Sequence, residues 1–407
     1  MSASRPGERG AALLIVMVSV AVLTAFAVDL AYDARVSLQI AANGRDELRA
    51  NYLARSGVAT SRLVLSFQQQ LDDLLPKGSA LPVPRIQLWK VVPLGAALTD
   101  GLFGGGPPRS PHGGPPGSTP IATYDTRIDD EGRKVNAQLE AINNPGLLLA
   151  PQIQAVYQLV CDPRWDPLFE REDSRGNRTT REELLTRLRD WVDEDDRSAA
   201  LRATFGGASC SMVVAPPPFE DAFGDENQPY DRGEDRYRAK NARMDSLDEL
   251  YMVAGVGDAF MAAFGDQLTV YLPRDAKQNV NELDRKALVN LAARIADPPM
   301  APRLLDPAFG EALQKWVLQR SALGILSYGP LEFAQAVEAA GVHVNANLLQ
   351  DTNPNNPFTD RSTTFSIRST GTVGSVKTAL EVVVRMEKPT QGEAVAAPGR
   401  VIHWQEE

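Results

Sequence analysis

The sequence predicts an α+β protein in which one long N-terminal helix packs on an antiparallel sheet, with a large all-α domain inserted between the strands. Three observations predict it. An uncharged apolar run, Ala11 to Val28, continues into helix-spaced apolar positions as far as Leu74. Strand-like alternation appears over Ile121–Ile128 and again after Phe365, and the residues between follow mostly helical spacing.

The N-terminal element begins with a short basic leader ending in Arg9-Gly10. Apolar residues such as Leu13, Leu14, Ile15, Val16, Leu23 and Phe26 each favour a membrane interior by roughly 0.3–0.6 kcal/mol, and no charge opposes them before Asp29. As a helix the Ala11–Val28 segment spans roughly 27 Å, near the lower limit for crossing a bilayer. Arg5 and Arg9 hold the leader in the cytoplasm, and Asp29 and Asp33 mark the far interface, so the rest of the chain is exported. The competing reading is an ordinary secretory signal, because Ala25-Phe26-Ala27 has the small-x-small pattern of a cleavage site. Two features favour retention: the Arg-Gly junction precedes the apolar run, and a helical stripe follows at Leu63, Phe67, Leu71 and Leu74.

The remaining elements follow in order. Ile86–Val92 reads as a short strand, and Gly101–Pro120 as a loop too rich in glycine and proline for a helix or central strand. Ile121–Ile128 reads as a half-buried strand, closed by a turn at Asp130-Glu131-Gly132. Helical spacing then marks Arg181–Val192, Leu247–Phe264, Asp284–Ile295, Pro307–Leu318 and Gly329–Ala340. Alternation returns at Phe365 and Ile367 and from Val376 to Met386, with Val401–Trp404 as a last edge strand. The expected organisation is a leader (1–10), a transmembrane helix (11–28), the first part of an α/β domain (29–144), a helical insertion (145–347) and the C-terminal strands (348–407).

A chain of 407 residues with 43% apolar content can bury at least one large core and is long enough for two or three domains. Its net charge of −10 opposes broad attraction to nucleic acid or anionic lipid. Cys161 and Cys210 allow either one disulfide in an exported compartment or two separate buried thiols. The three histidines, His112, His343 and His403, lack partners at zinc-type spacing, and there is no G-x-S-x-G or Walker loop, so no active site is assigned.

Two constellations carry possible chemistry. Ser246 to Gly257 reads as a helix-hairpin-helix element, with Ser246 and Glu249 as a capping box and Gly255 and Gly257 permitting a tight turn. Such a turn grips DNA phosphate in some proteins and serves packing in sterile alpha motif-like modules. Asp258 and Asp266 follow it in place of Lys or Arg, which favours packing; an exported, membrane-anchored DNA-binding protein is the alternative function. The second constellation is acidic: Asp190-Trp191-Val192-Asp193-Glu194-Asp195-Asp196, and Gly233-Glu234-Asp235 through Asn241. Oxygen ligands on irregular backbone suit calcium, and carboxylates at a helix C-terminus are electrostatically unfavourable without a cation. A solvated acidic face is the competing explanation. Asp351–Asp360 could also hold a cation but reads more simply as a turn-rich connection.

The leader, the Arg9-Gly10 junction and the long helix together resemble the type IV prepilin class, in which a prepilin peptidase cuts after the glycine and the new N-terminus is methylated. The resemblance implies a mature protein beginning at Ala11. The class normally carries glutamate at the fifth mature position, here Ile15, and minor pseudopilin K of the type II secretion system characteristically lacks it. An unpaired carboxylate in the membrane costs roughly 2.5–3.5 kcal/mol. A subunit at the filament tip has no neighbour above it to supply a compensating amine, so apolar Ile15 suits that position.

The resemblance implies a pilin-like fold with an inserted helix-hairpin-helix or sterile alpha motif-like domain, and a structural rather than enzymatic role. It further implies calcium held by a D-W-x-D-x-D segment and a later G-x-E-D-like segment. These match Asp190, Asp193, Asp195, Glu234 and Asp235, with Asp196 and Asn241 at the margin. The implied partners are minor pseudopilins I, J and H, the major pseudopilin G and the prepilin peptidase, with no nucleic acid. The implied location is the inner membrane, with the bulk of the chain in the periplasm.

Overall fold

The computed structural model describes residues 8–74, 85–92, 95, 122–140, 149–170, 172, 178–205, 210, 212–231, 236–274, 276–298, 301–322, 324–350, 353, 356–386 and 399–406. The 101–120 segment, Ile121 and Asp351 lie outside the described residues.

In chain order the principal elements are helix α1 (Glu8–Leu74), strand β1 (Ala122–Asp130), helices α2 (Leu149–Val160) and α3 (Arg181–Asp190), the hairpin strands β2 (Arg197–Phe205) and β3 (Met212–Asp225), helices α4 (Asp258–Phe264), α5 (Arg285–Ile295), α6 (Pro307–Arg320) and α7 (Pro330–Ala339), and strands β4 (Thr364–Val373), β5 (Val376–Arg385) and β6 (Arg400–Glu406). Ile86–Val92, expected as one strand, is instead the end of a two-residue strand, Arg85–Ile86, paired with Leu326–Ser327, followed by a single helical turn, Leu88–Val91.

Helix α1 is 67 residues long, roughly 100 Å at the α-helical rise. Its N-terminal part is the one stretch among the described residues apolar and long enough to cross a membrane, with a mean hydropathy of 2.5 over its best 18-residue window and none of that window buried. It is a candidate membrane anchor. The C-terminal part packs on a four-stranded antiparallel sheet of order β6-β5-β4-β1. Ala54, Val58 and Leu65 meet Phe365, Ile367, Leu380, Val382, Val384 and Met386 in one core.

The helix face that enters this core is not the one that carries Leu63 and Phe67. Ala50, Ala54, Val58, Ser61 and Leu65 are buried, whereas Leu63 and Phe67 of the apolar stripe are 50% and 54% exposed. Small residues explain the choice. A Cβ placed on Gly371 of β4 would overlap the Ala50 carbonyl oxygen, and one on Gly57 would overlap the hydroxyls of Ser369 and Thr126. Approach this close leaves no room for a Cβ at either position, so both must be glycine. The bulkier stripe is left on the open side, where Val64, Phe67, Leu71, Leu88 and Val92 line an apolar groove of about 400 Å³.

Between β1 and β4 the chain builds two further cores. One joins α2, α3 and α4 through Leu149, Ile153, Leu184, Leu188, Trp191, Phe260 and Phe264; the other joins α5, α6 and α7 through Leu288, Leu291, Phe309, Val317, Tyr328 and Phe333. The joint between these cores and the sheet is the Gln278-Asn279-Val280-Asn281 segment. Gln278 and Asn279 pair in parallel with Phe358 and Thr359, and the Asn279 amide donates to Asp130 Oδ2 (3.0 Å) and Ser362 Oγ (2.9 Å).

Among the described residues of the insertion, the longest strands form one hairpin. Strands β2 and β3 pair antiparallel with two irregularities, over a stretch whose three consecutive prolines, Pro216–Pro218, obscure its strand pattern. Cys210, in the connection between these strands, forms a disulfide with Cys161 at the end of α2, with a Cα–Cα distance of 5.5 Å. Of the two cysteine states open to the sequence, the structure has the disulfide.

Candidate metal centre

The acidic centre forms where α3 ends. Thr180 starts this helix with a reciprocal cap: its hydroxyl accepts from the Glu183 amide (3.1 Å) and Glu183 Oε2 accepts from the Thr180 amide (2.8 Å). Leu184, Leu185 and Leu188 bury one face, which fixes the helix rotation and turns Asp190 inward at the last residue. The chain then passes Trp191 and Val192 and brings Asp193 back to the same side.

Asp190 and Asp193 meet a third carboxylate, Glu226, immediately after β3. One oxygen from each of the three lies within 4.8 Å of the others. All three residues are buried, at 4%, 8% and 2% exposure respectively. Asp190 accepts from the Ala199 amide (2.9 Å) and the Ser198 hydroxyl (3.4 Å), and Asp193 pairs with Arg189 (3.1 Å). Asp193 Oδ1, both Glu226 oxygens and Asn241 Oδ1 have no well-formed hydrogen bond among the described residues, although the Asn241 side chain lies beside Glu226.

The electrostatics follow from this packing. Burial raises Asp190 to about 7, and the neighbouring Asp193 charge adds to the effect against the hydrogen bond from Ala199. Burial likewise raises Asp193 to about 6, with Arg189 opposing it, and Glu226 to about 7, with the Asn241 side chain opposing it. Three carboxylates and one guanidinium leave an uncompensated negative charge in a buried site, which is unfavourable unless protons or a cation bind. The floor of the centre is aromatic: Trp191 stands edge-on to Tyr230 at 5.5 Å, and Tyr230 packs on Tyr237 at 5.2 Å.

The structure brings together Asp190 and Asp193 of the acidic residues singled out in the sequence. Asp195 is exposed; its carboxylate accepts from the Arg197 amide (2.8 Å) and its carbonyl from the Asn241 amide (2.8 Å), so it shapes the turn into β2. Asp196 is exposed and accepts weakly from the same Asn241 amide (3.4 Å). Glu234 and Asp235 lie outside the described residues. Glu226 was not legible in the sequence, because its signal, the acidic run Asp225-Glu226 closing a strand, sits in the segment whose prolines obscured that strand. A hard-oxygen set of Asp190, Asp193, Glu226 and the Asn241 carbonyl fits calcium or a similar cation better than a zinc site, which favours nitrogen and sulfur donors.

The second constellation packs inward. Ser246 and Glu249 form the capping box, but on a 3₁₀ helix, Leu247–Met252, and α4 follows the turn. Gly255 has φ +95°, and a Cβ there would meet the Thr179 side chain; Arg187 donates to the Ala254 carbonyl (3.2 Å). The turn therefore seats against the start of α3. Gly10 and Ala11 lie in the first turns of α1, and Ile15 is 64% exposed on its apolar part.

These features define a long-helix α+β scaffold with a candidate membrane anchor and a buried acidic centre. No family model matches the chain, and no curated protein matches it. Among solved structures it is similar to one chain of the GspK-GspI-GspJ complex from the enterotoxigenic Escherichia coli type 2 secretion system, with 15% identity, a TM-score of 0.45, and coverage of 89% of this chain and 98% of that chain.

Proposed function

We propose that this chain is a minor pseudopilin of the K type that caps the tip of a type II secretion pseudopilus and supports protein export across the outer membrane. The observation that carries the reading is at the N-terminus: a basic leader ends at Gly10, an apolar helix begins at Ala11, and the fifth position of that helix is Ile15 in place of an acid. The long α1 supports it, since it continues from an unburied apolar segment into a sheet-bearing domain. In this reading the prepilin peptidase cuts after Gly10, Ala11 is methylated, the helix stays in the inner membrane and the remainder lies in the periplasm. Pseudopilins I and J join it in the tip complex, with H and G below. Exposed Leu63 and Phe67, with half-buried Leu71, offer them an apolar helix face.

Calcium belongs to the same proposal. Asp190, Asp193 and Glu226, with the Asn241 carbonyl, would form its inner oxygen set, and Glu234 and Asp235 are further ligand candidates from the second acidic segment. The ion would neutralise the buried negative charge and fix α3 to the β2–β3 hairpin.

N-terminal sequencing of the mature protein tests the central claim. A start at Ala11 is expected; a start at Val28 would assign the chain to ordinary signal peptidase and remove the pseudopilin reading.

A further inference from the structure

The β2–β3 hairpin connects two features that are separate in the sequence. At one end it holds the acidic centre: Ala199 and Ser198 of β2 donate to both oxygens of Asp190, and β3 leads directly into Glu226. At the other end, Cys210 ties the connection between the strands to Cys161. Cys161 is anchored in turn, buried in the first helical core and with its amide donating to the Tyr157 carbonyl (2.9 Å). The disulfide closes a loop of sequence separation 49 that contains Asp190 and Asp193, while Glu226 stands outside that loop and is placed by β3.

A two-stranded hairpin is marginal by itself in water. This one gains order from its packing on α2 and α3, from the disulfide at its far end and from the acidic centre at its base. Releasing the far end lets the strands fray toward the base, where fraying loosens the Ala199–Asp190 bond and the placement of Glu226. We propose that the Cys161–Cys210 disulfide sets the cation affinity of the acidic centre through the β2–β3 hairpin, so that a dithiol and a calcium chelator act on the same element. This rests on the calcium reading above and adds its regulation.

The redox step is two thiol–disulfide exchanges. A thiolate of the dithiol attacks the sulfur of Cys210, the less buried of the two residues, and Cys161 leaves as a thiolate that takes up a proton. The second thiol of the reductant, losing its own proton, displaces Cys210 from the mixed disulfide. The products are two cysteine thiols and the oxidised dithiol, with two electrons passed to the protein.

Binding linkage is reciprocal: a disulfide that strengthens cation binding by some factor must itself be harder to reduce by that factor when the cation is bound. The test uses the full chain in detergent. Calcium titration of the oxidised protein and of the C161A/C210A variant should show an affinity at least about fivefold weaker in the variant. Independently of whether that variant folds, reduction of the wild-type disulfide by dithiothreitol, followed by alkylation and mass measurement, should require more reductant at equilibrium in calcium than in EGTA. The E226Q variant should lose that calcium dependence. Equal affinities together with calcium-independent reduction would overturn the coupling while leaving the calcium site standing. Absence of calcium binding to the oxidised wild type would overturn the calcium reading and this inference with it.

Discussion

At the level of single residues, the centre at Asp190, Asp193 and Glu226 is defined by burial against charge. Glu226→Gln keeps the side-chain shape and removes one of the three charges. The variant is therefore expected to be more stable than wild type in EGTA and to lose most of the calcium-induced rise in Tm. In wild type that rise corresponds to about 2.7 kcal/mol when calcium is at a hundredfold excess over its Kd. Equal calcium-induced shifts in the two proteins would exclude Glu226 from the site.

The pH dependence has a definite sign. All three carboxyls are raised by burial, to about 7, 6 and 7, so the metal-free folded state holds protons more tightly than the unfolded chain. The stability they contribute is fully present below the unfolded carboxyl range and is lost as pH rises through about 6 to 7. Calorimetry in EGTA should therefore show a higher Tm near about pH 5 than near about pH 8, and the increment from calcium should be larger at the higher pH, where protons no longer compete. Of this centre, Asp190 and Asp193 were legible in sequence because acids crowd a helix end there. Glu226 was not, since nothing in linear spacing shows that β3 returns to α3.

Among the elements, α1 shows where pattern reading succeeds and where it stops. A continuous helix was legible from the apolar spacing that ends in Leu63, Phe67, Leu71 and Leu74, but that spacing did not say which face packs. The sheet selects Ala50, Ala54, Gly57 and Val58, because β4 presents Gly371 and the two backbones approach closely. Gly371→Ala would place a methyl group on the Ala50 carbonyl and force the helix outward, at a cost of roughly 1–3 kcal/mol. Chemical denaturation of the variant checks this, and an unchanged midpoint would show that α1 is free to shift. The β2–β3 hairpin is the converse case: prolines within β3 obscure the strand, and pairing with β2 and the tie at Cys210 specify it through contacts remote in sequence.

For the whole molecule, the predicted role depends on an N-terminus that is processed and then retained. Gly10→Val is expected to leave the leader uncut, giving a protein heavier by the leader's mass on intact-mass measurement of membrane fractions. Normal maturation of that variant would exclude the prepilin peptidase. The joint at Gln278-Asn279-Val280-Asn281 then holds two helical cores on the sheet, so that α1 anchors the helical bulk of the protein.

By itself the sequence determined the apolar helix that follows Arg9-Gly10, the strand–helices–strand order and the existence of an acidic concentration at the end of α3, because these depend on composition and local periodicity. Only the tertiary structure decided which face of α1 meets the sheet, how the two cysteines pair and which third acid joins Asp190 and Asp193. Each of those choices is made by groups distant along the chain that pack within a few ångströms of one another, and local spacing carries no record of that proximity.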